Sequence, residues 1–419
     1  MARLARRLYA YAFLEDLILL YPVYALLFAE HGLSAAEIST LFIIWSCVTF
    51  VVEVPSGLWA DRFSRRRLLI LAPLVTGAGY ALWTFLPSYP AFAAGFVLWG
   101  VGSSLCSGTL QALVYEELGR ARAEGSYARL MGRSQAMGTT AMMVATALAG
   151  PVLHLGGYAA VGSASVAVCV LGALVGRSFP ESRGARQETA GAGADTGASG
   201  GAAAAHDPGF LTLLRAGLGE LRGSRAARDA VLLSSAVTGA LMIDEYVPLL
   251  IASMDVAESS VPLLMLLVTV GVAAGGWCAG RGARLLGPAL GVAALALAAG
   301  AVSGPAGVVL LALAFGIFQW AMVTCDAMLQ DRVTDRARAT VSSVAGFGAE
   351  VISVLVCAGY ALGSRLWEHS TLFVLAAVPY LLIALTLVVL RSGPHGARKP
   401  VRQPVRKPEQ EPVLESGSE

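Results

Sequence analysis

Charge is scarce in this 419-residue chain. Asp, Glu, Lys and Arg make up 14% of it, and lysine occurs only at Lys399 and Lys407, both near the C-terminus. A phosphate-binding loop ending in Gly-Lys-Ser/Thr therefore has no lysine to use within the apolar part of the chain, so ATP hydrolysis in that form is excluded and no nucleotide is expected. The histidines (His31, His154, His206, His369, His395) are dispersed, which rules out the His-x-x-x-His zinc site of an intramembrane metalloprotease. Cys47, Cys106, Cys169, Cys278, Cys325 and Cys357 lie in apolar runs without ligand spacing. Neither a disulfide framework nor a metal site is expected, no cofactor is called for, and the cysteines read as small buried residues. A net charge of only +2 argues against nucleic acid as a partner.

What the chain has in abundance is hydrophobic residues, 56% of the total, with a mean hydropathy of +0.67. Those values belong to a protein whose partner is the lipid bilayer. A spanning helix needs about 20 mostly apolar residues. Twelve such runs are expected, near 8–29, 36–59, 67–86, 91–115, 134–153, 157–176, 229–252, 260–280, 286–303, 306–330, 339–362 and 370–391. The first reads as a retained helix, because no small-residue cleavage site follows it. With the N-terminus inside, the breaks that hold Arg3, Arg62, Arg129, Arg177 to Arg228, Arg281, Arg332 and the tail all fall on one side. Arg365 alone falls on the other. Lys and Arg avoid the translocated side, so the pattern predicts a multi-pass plasma-membrane protein with both termini cytoplasmic.

The longest break divides the chain. We expect a six-helix bundle over 1–176, a cytoplasmic linker over 177–228 with a flexible Gly/Ala-rich centre, a second bundle over 229–391 and a disordered tail over 392–419. The halves resemble each other: "EDLILLYP" at Glu15 with "DEYVP" at Asp244, and "GLWADR" at Gly57 with "GRGARL" at Gly280. The fold class is thus an all-α polytopic membrane protein of two pseudo-symmetric six-helix bundles, and parallel repeats of this kind are a transporter plan.

Carboxylates inside spans are the sharpest chemical signal, since each costs about 2.5–3.5 kcal/mol at a helix centre. Glu15 and Asp16 in the first span, Asp244 and Glu245 in the seventh, and Glu350 in the eleventh are the candidates for proton coupling or substrate binding. Asp326 lies nearer an interface. No Lys or Arg within a span offsets them, so protons, a cationic substrate or cavity water must. Successive helix residues diverge by about 100°, so one acid of each adjacent pair can face a cavity and the other a neighbouring helix. Pro22 and Pro248 are expected to kink the first and seventh spans, and Gly150-Pro151 the fifth. Tyr21, Tyr24, Gln111, Tyr115, Tyr246, Gln319 and Trp320 are candidates to contact an amphipathic substrate or to anchor span ends.

"GLWADRFSRRR" resembles motif A of the major facilitator superfamily, with Gly57, Asp61, Arg62, Arg65 and Arg66 in place and Ser64 where a second glycine is usual. "EVPSG" and "DRARATVSS" are similar to segments of a bacterial twelve-helix branch. "LAGPVLHLGG" resembles the end of motif C of proton-coupled exporters, whereas the fourth span resembles motif B with Val97 in place of its arginine. The resemblance implies alternating access, with Asp61 capping a helix of the other half near 338–342 as a gate latch. Glu53, Glu116, Glu117, Arg129 and Asp331 are expected to contribute a cytoplasmic gate network, with Arg62 or Arg129 facing the glutamates. The expected function is non-enzymatic: proton-coupled export of a small amphipathic neutral or cationic molecule. Import of a nutrient, and a transport-inactive sensor or interaction protein on the same fold, remain open beside it.

Overall fold

The computed structural model describes residues 2–62, 64–180, 219, 223–279, 282–333 and 338–392, and among these residues every regular element is helical. The first half contributes α1 (Ala2–Asp16), α2 (Tyr24–Glu30), α3 (Ala35–Arg62), α4 (Arg65–Phe85), α5 (Tyr89–Arg120) and α6 (Tyr127–Arg177). The second contributes α7 (Arg225–Ala240), a 3-10 turn (Leu241–Tyr246) and α8 (Val247–Ala252). It continues with α9 (Val261–Cys278), α10 (Leu286–Val302), α11 (Val308–Arg332), α12 (Arg338–Gly363) and α13 (His369–Ser392). Ten helices among the described residues are long and apolar enough to cross a membrane. The centre of the expected linker and the tail beyond residue 392 lie outside the described residues.

Local chemistry fixes several helix starts. Ser34 and Glu37 form a reciprocal capping box at α3: the Ser34 N–H donates to Glu37 Oε2 at 2.9 Å and the Glu37 N–H to Ser34 Oγ at 3.3 Å. Ser64, the departure from the motif's usual glycine, serves as the N-cap of α4 and accepts from the Arg67 N–H. Ser224 caps α7 in the same way, accepting from the Ala227 N–H at 3.2 Å.

Two spans depart in form from the sequence expectation, and the junction of two others is tighter than a loop. The first is not one helix kinked at Pro22 but two, because proline has no N–H and its ring clashes with the carbonyl four residues back. Between them the chain turns through Tyr21 N–H to Ile18 O and Tyr24 N–H to Leu20 O bonds, while the Leu20 N–H donates to Ser165 Oγ on α6 at 3.1 Å. The seventh span likewise changes to the tighter 3-10 winding over Leu241–Tyr246, and Pro248 sits in the first turn of the piece that follows. In the fifth, Pro151 lies within helical backbone, and the fifth and sixth expected spans are joined through Gly157, where φ is 62° and ψ −166°. Only glycine adopts that region readily. At 51 residues α6 would measure about 77 Å if straight, far more than a bilayer core of about 30 Å. At Gly157 the chain doubles back along α4, so that Gly162 lies against Thr84 and Gly176 against Leu69.

Within each half the helices pack on one another, α1, α3, α4, α5 and α6 on one side and α7 with α9 to α13 on the other. The halves meet where α3 crosses α12, α6 meets α9 and α2 meets α8. Tyr24, Phe28, Phe42, Tyr80, Trp83, Phe92 and Phe96 form a continuous aromatic interior in the first half. Of the six cysteines four are buried, but Cys47 and Cys278 are exposed on helix faces, a correction to the expectation that all six are interior.

Candidate functional site

The two helix breaks face each other across a central cavity of about 510 Å³. α1 ends at Asp16, which delivers Glu15 and Asp16 to the cavity wall; the 3-10 turn delivers Asp244 and Glu245 from the other half.

The pairs divide alike. Glu15 and Asp244 are open to the cavity, whereas Asp16 and Glu245 are half-buried against neighbours. Asp16 occupies the space a side chain at position 138 would take: a Cβ built on Gly138 would sit 2.2 Å from Asp16 Oδ2. Glu245 accepts a hydrogen bond from the Tyr24 hydroxyl across the bundle interface. Glu350 is elsewhere. It accepts from Ser46 where α12 crosses α3 and does not line the cavity. Asp326 is bonded by Ser234 Oγ at 2.7 Å and is likewise absent from the cavity wall.

Trp45 and Trp99, which the sequence did not single out, line the cavity together with Tyr21, which it did. Trp45 and Trp99 stack at 4.9 Å with planes 15° apart, and Tyr21 stacks on Trp99 at 5.4 Å and 23°. Each tryptophan sits ten positions past its helix start, Ala35 and Tyr89. Tryptophan in spanning helices is enriched at the interfaces, so mid-span placement was the signal available. Of the seven candidate contact residues, Tyr21 and Tyr24 line the cavity. Gln111 and Tyr115 are exposed outside it, Tyr246 is buried against Tyr360 at 3.7 Å, and Gln319 and Trp320 lie apart from it.

Among the described residues four hydrogen bonds join the halves: Tyr24 to Glu245, Ser46 to Glu350, Tyr158 to Glu258, and Tyr246 to Ser39 at 2.8 Å. Three of them lie toward the ends of the spans that carry few arginines. At the arginine-rich ends, Arg65 Nη1 reaches Glu116 Oε2 at 2.5 Å and also donates to Ala112 O, while Glu117 pairs with Arg120 at 2.6 Å. Arg129 makes no ion pair with these glutamates among the described residues, and the Arg62 side chain lies outside them. The side chains of Glu53, Gly57, Asp61 and Arg62 lie outside the described residues, as do those of the expected cap near Arg338. Asp331 and Arg66 are described at the same end, and no ion pair between Asp331 and the arginines expected there occurs among the described residues.

Comparison with known proteins agrees with this architecture. A point variant of the nucleoside transporter NupG is similar over 92% of this chain and 99% of its own, with 14% identity and a TM-score of 0.72. A bacterial homolog of the human lysosomal transporter Spinster, in an inward-facing and unoccupied conformation, gives 16% identity, 93% and 96% coverage and a TM-score of 0.64. The peptide transporter PepTSo of the POT family gives 13%, 94% and 98%, and 0.65. At such identities the likeness speaks for the fold alone. No curated protein sequence matches the chain. The profile of the Major Facilitator Superfamily, however, matches residues 13–356, most of the chain, and together with the broken first and seventh spans around a central cavity this places the protein in the Major Facilitator Superfamily.

Proposed function

We propose that the protein is a proton-coupled secondary transporter that works by alternating access and exports an amphipathic neutral or cationic small molecule across the plasma membrane. The observation that carries the reading is the convergence of four carboxyl side chains, two from each half, on one cavity with no Lys, Arg or His among the described residues of its wall. Protons are the simplest counter-charge for acids held at the middle of a bilayer. In this reading α6 supplies two spans and the α1–α2 pair one, giving twelve. The bundles divide at 1–176 and 229–391, and both termini face the cytoplasm.

The clustering of cross-bundle bonds at the arginine-poor end supports a conformation closed outward and open inward. Motif A, with Asp61, Arg62, Arg65 and Arg66, then acts as the opposing latch, and Arg65–Glu116 braces it. Reconstituted vesicles with an imposed pH gradient test the proposal. Substrate should move against its gradient when protons flow the other way, and accumulation that survives collapse of both pH gradient and membrane potential refutes coupling. Saturable inward accumulation in intact cells reverses the direction.

A further inference from the structure

We infer, on the transporter reading above, that the molecule this cavity selects is a flat aromatic monocation, held by Asp244 and Glu15 at its charge and by the Tyr21–Trp99–Trp45 stack at its ring. Two of the four cavity acids are already engaged. Asp16 fills the notch over Gly138, and Glu245 holds the Tyr24 hydroxyl. Glu15, which also meets the Cys106 thiol, and Asp244, which also accepts from backbone N–H groups of its own turn, are the two acids most exposed to the cavity, one from each half.

An anion meets carboxylates on both sides and no basic side chain among the lining residues, so like-charge repulsion in a low-dielectric space excludes it. A small hydrophilic cation satisfies the acids and wastes the rings. The stack offers something more specific: Tyr21 and Trp45 each stack on Trp99, a planar ring can continue such a stack, and aromatic faces are themselves electronegative. Acids and ring faces therefore attract the same sign of charge, and an aromatic cation gains from both. A cavity of about 510 Å³ is of the size that takes a drug-sized molecule.

Three probes with nearly the same ring test this: ethidium (cationic), phenanthridine (uncharged) and 9-phenanthrenecarboxylate (anionic). Binding to the purified full-length protein in detergent at pH 8 is read by calorimetry and by quenching of tryptophan fluorescence. Ethidium should bind at one site at least tenfold more tightly than phenanthridine, and the carboxylate should show no saturable binding. Asp244→Asn and Glu15→Gln should each weaken ethidium about tenfold or more while leaving phenanthridine unchanged, and Trp99→Leu should weaken both probes. Equal affinity for ethidium and phenanthridine, tighter binding of the carboxylate, or native ethidium affinity in both acid variants overturns the inference. Because the readout is binding, it separates from coupling. Selective ethidium binding without gradient-driven flux counts against the transporter reading, whereas gradient-driven flux of another compound without ethidium selectivity counts against the aromatic cation.

Discussion

Removing one oxygen atom, in Tyr24→Phe, should unlock the closed end of the molecule. The Tyr24 ring lies 5.7–6.2 Å from those of Phe28, Phe42, Trp83, Phe96 and Trp99, contacts that phenylalanine keeps. What disappears is the hydroxyl that reaches Glu245 across the interface. With Glu245 neutralised by a proton, such a hydrogen bond contributes about 0.5–1.5 kcal/mol, and this one exists only while α2 rests on α8. Its whole loss falls on one conformer, which shifts the closed-to-open ratio about 2- to 12-fold at 1.4 kcal/mol per decade.

The shift can be read with a reporter cysteine at Ala25, 1% exposed on α2, in a background free of the six native cysteines. In detergent, maleimide labelling of the reporter should accelerate by a factor within that range. Glu245→Gln keeps an acceptor and should give a smaller acceleration, and the double variant should add little to Tyr24→Phe, since both changes break the same contact. Labelling that stays at the native rate in Tyr24→Phe would mean that the interface is held by packing and that the bond is incidental.

Gly138→Ala places a methyl where Asp16 Oδ2 now sits; thermal unfolding in detergent should show a loss of about 1–3 kcal/mol, largely relieved in an Asp16→Ala background. Gly157→Ala forces a side chain into backbone only glycine favours, at about 1–3 kcal/mol, and should lower the yield of monodisperse protein on size exclusion. Arg65→Ala breaks a contact whose partners are 21% and 41% exposed, so vesicle flux should fall only slightly, in keeping with about 0–1 kcal/mol, and Arg67→Ala should be silent. Asp61→Asn, by contrast, should reduce flux without altering expression, and speed labelling of a cysteine in the arginine-side half of the cavity, if a charge–dipole contact of about 0.3–2 kcal/mol latches that end.

Helices, their apolar runs and the acid pairs were legible because lipid imposes a composition that water does not. The breaks were marked by Pro22 and Pro248, but their form was not legible. A hydropathy pattern cannot register a turn whose freed N–H is taken up by a serine on another helix, as Ser165 does for Leu20. Distance along a helix placed Glu350 at mid-depth but carried no information on which face it occupies, and that face turns toward α3 rather than the cavity. Trp45 and Trp99 passed unnoticed for a related reason: one chain position says little about stacking between rings on different helices. The Arg65–Glu116 pair was not anticipated, since Glu116 meets Arg65 only once α4 and α5 are packed side by side.

The single-residue reversal at Gly157 bears on how the chain is made. Two spans with no polar stretch between them give the insertion machinery no point at which to pause and orient the first before the second arrives. They must partition into lipid as a hairpin, and the second partner cannot be synthesised much later than the first without leaving the latter exposed. Biogenesis of this region is thus a concerted event, and an epitope or glycosylation tag placed between His154 and Tyr158 would separate two halves of one insertion unit rather than decorate a loop.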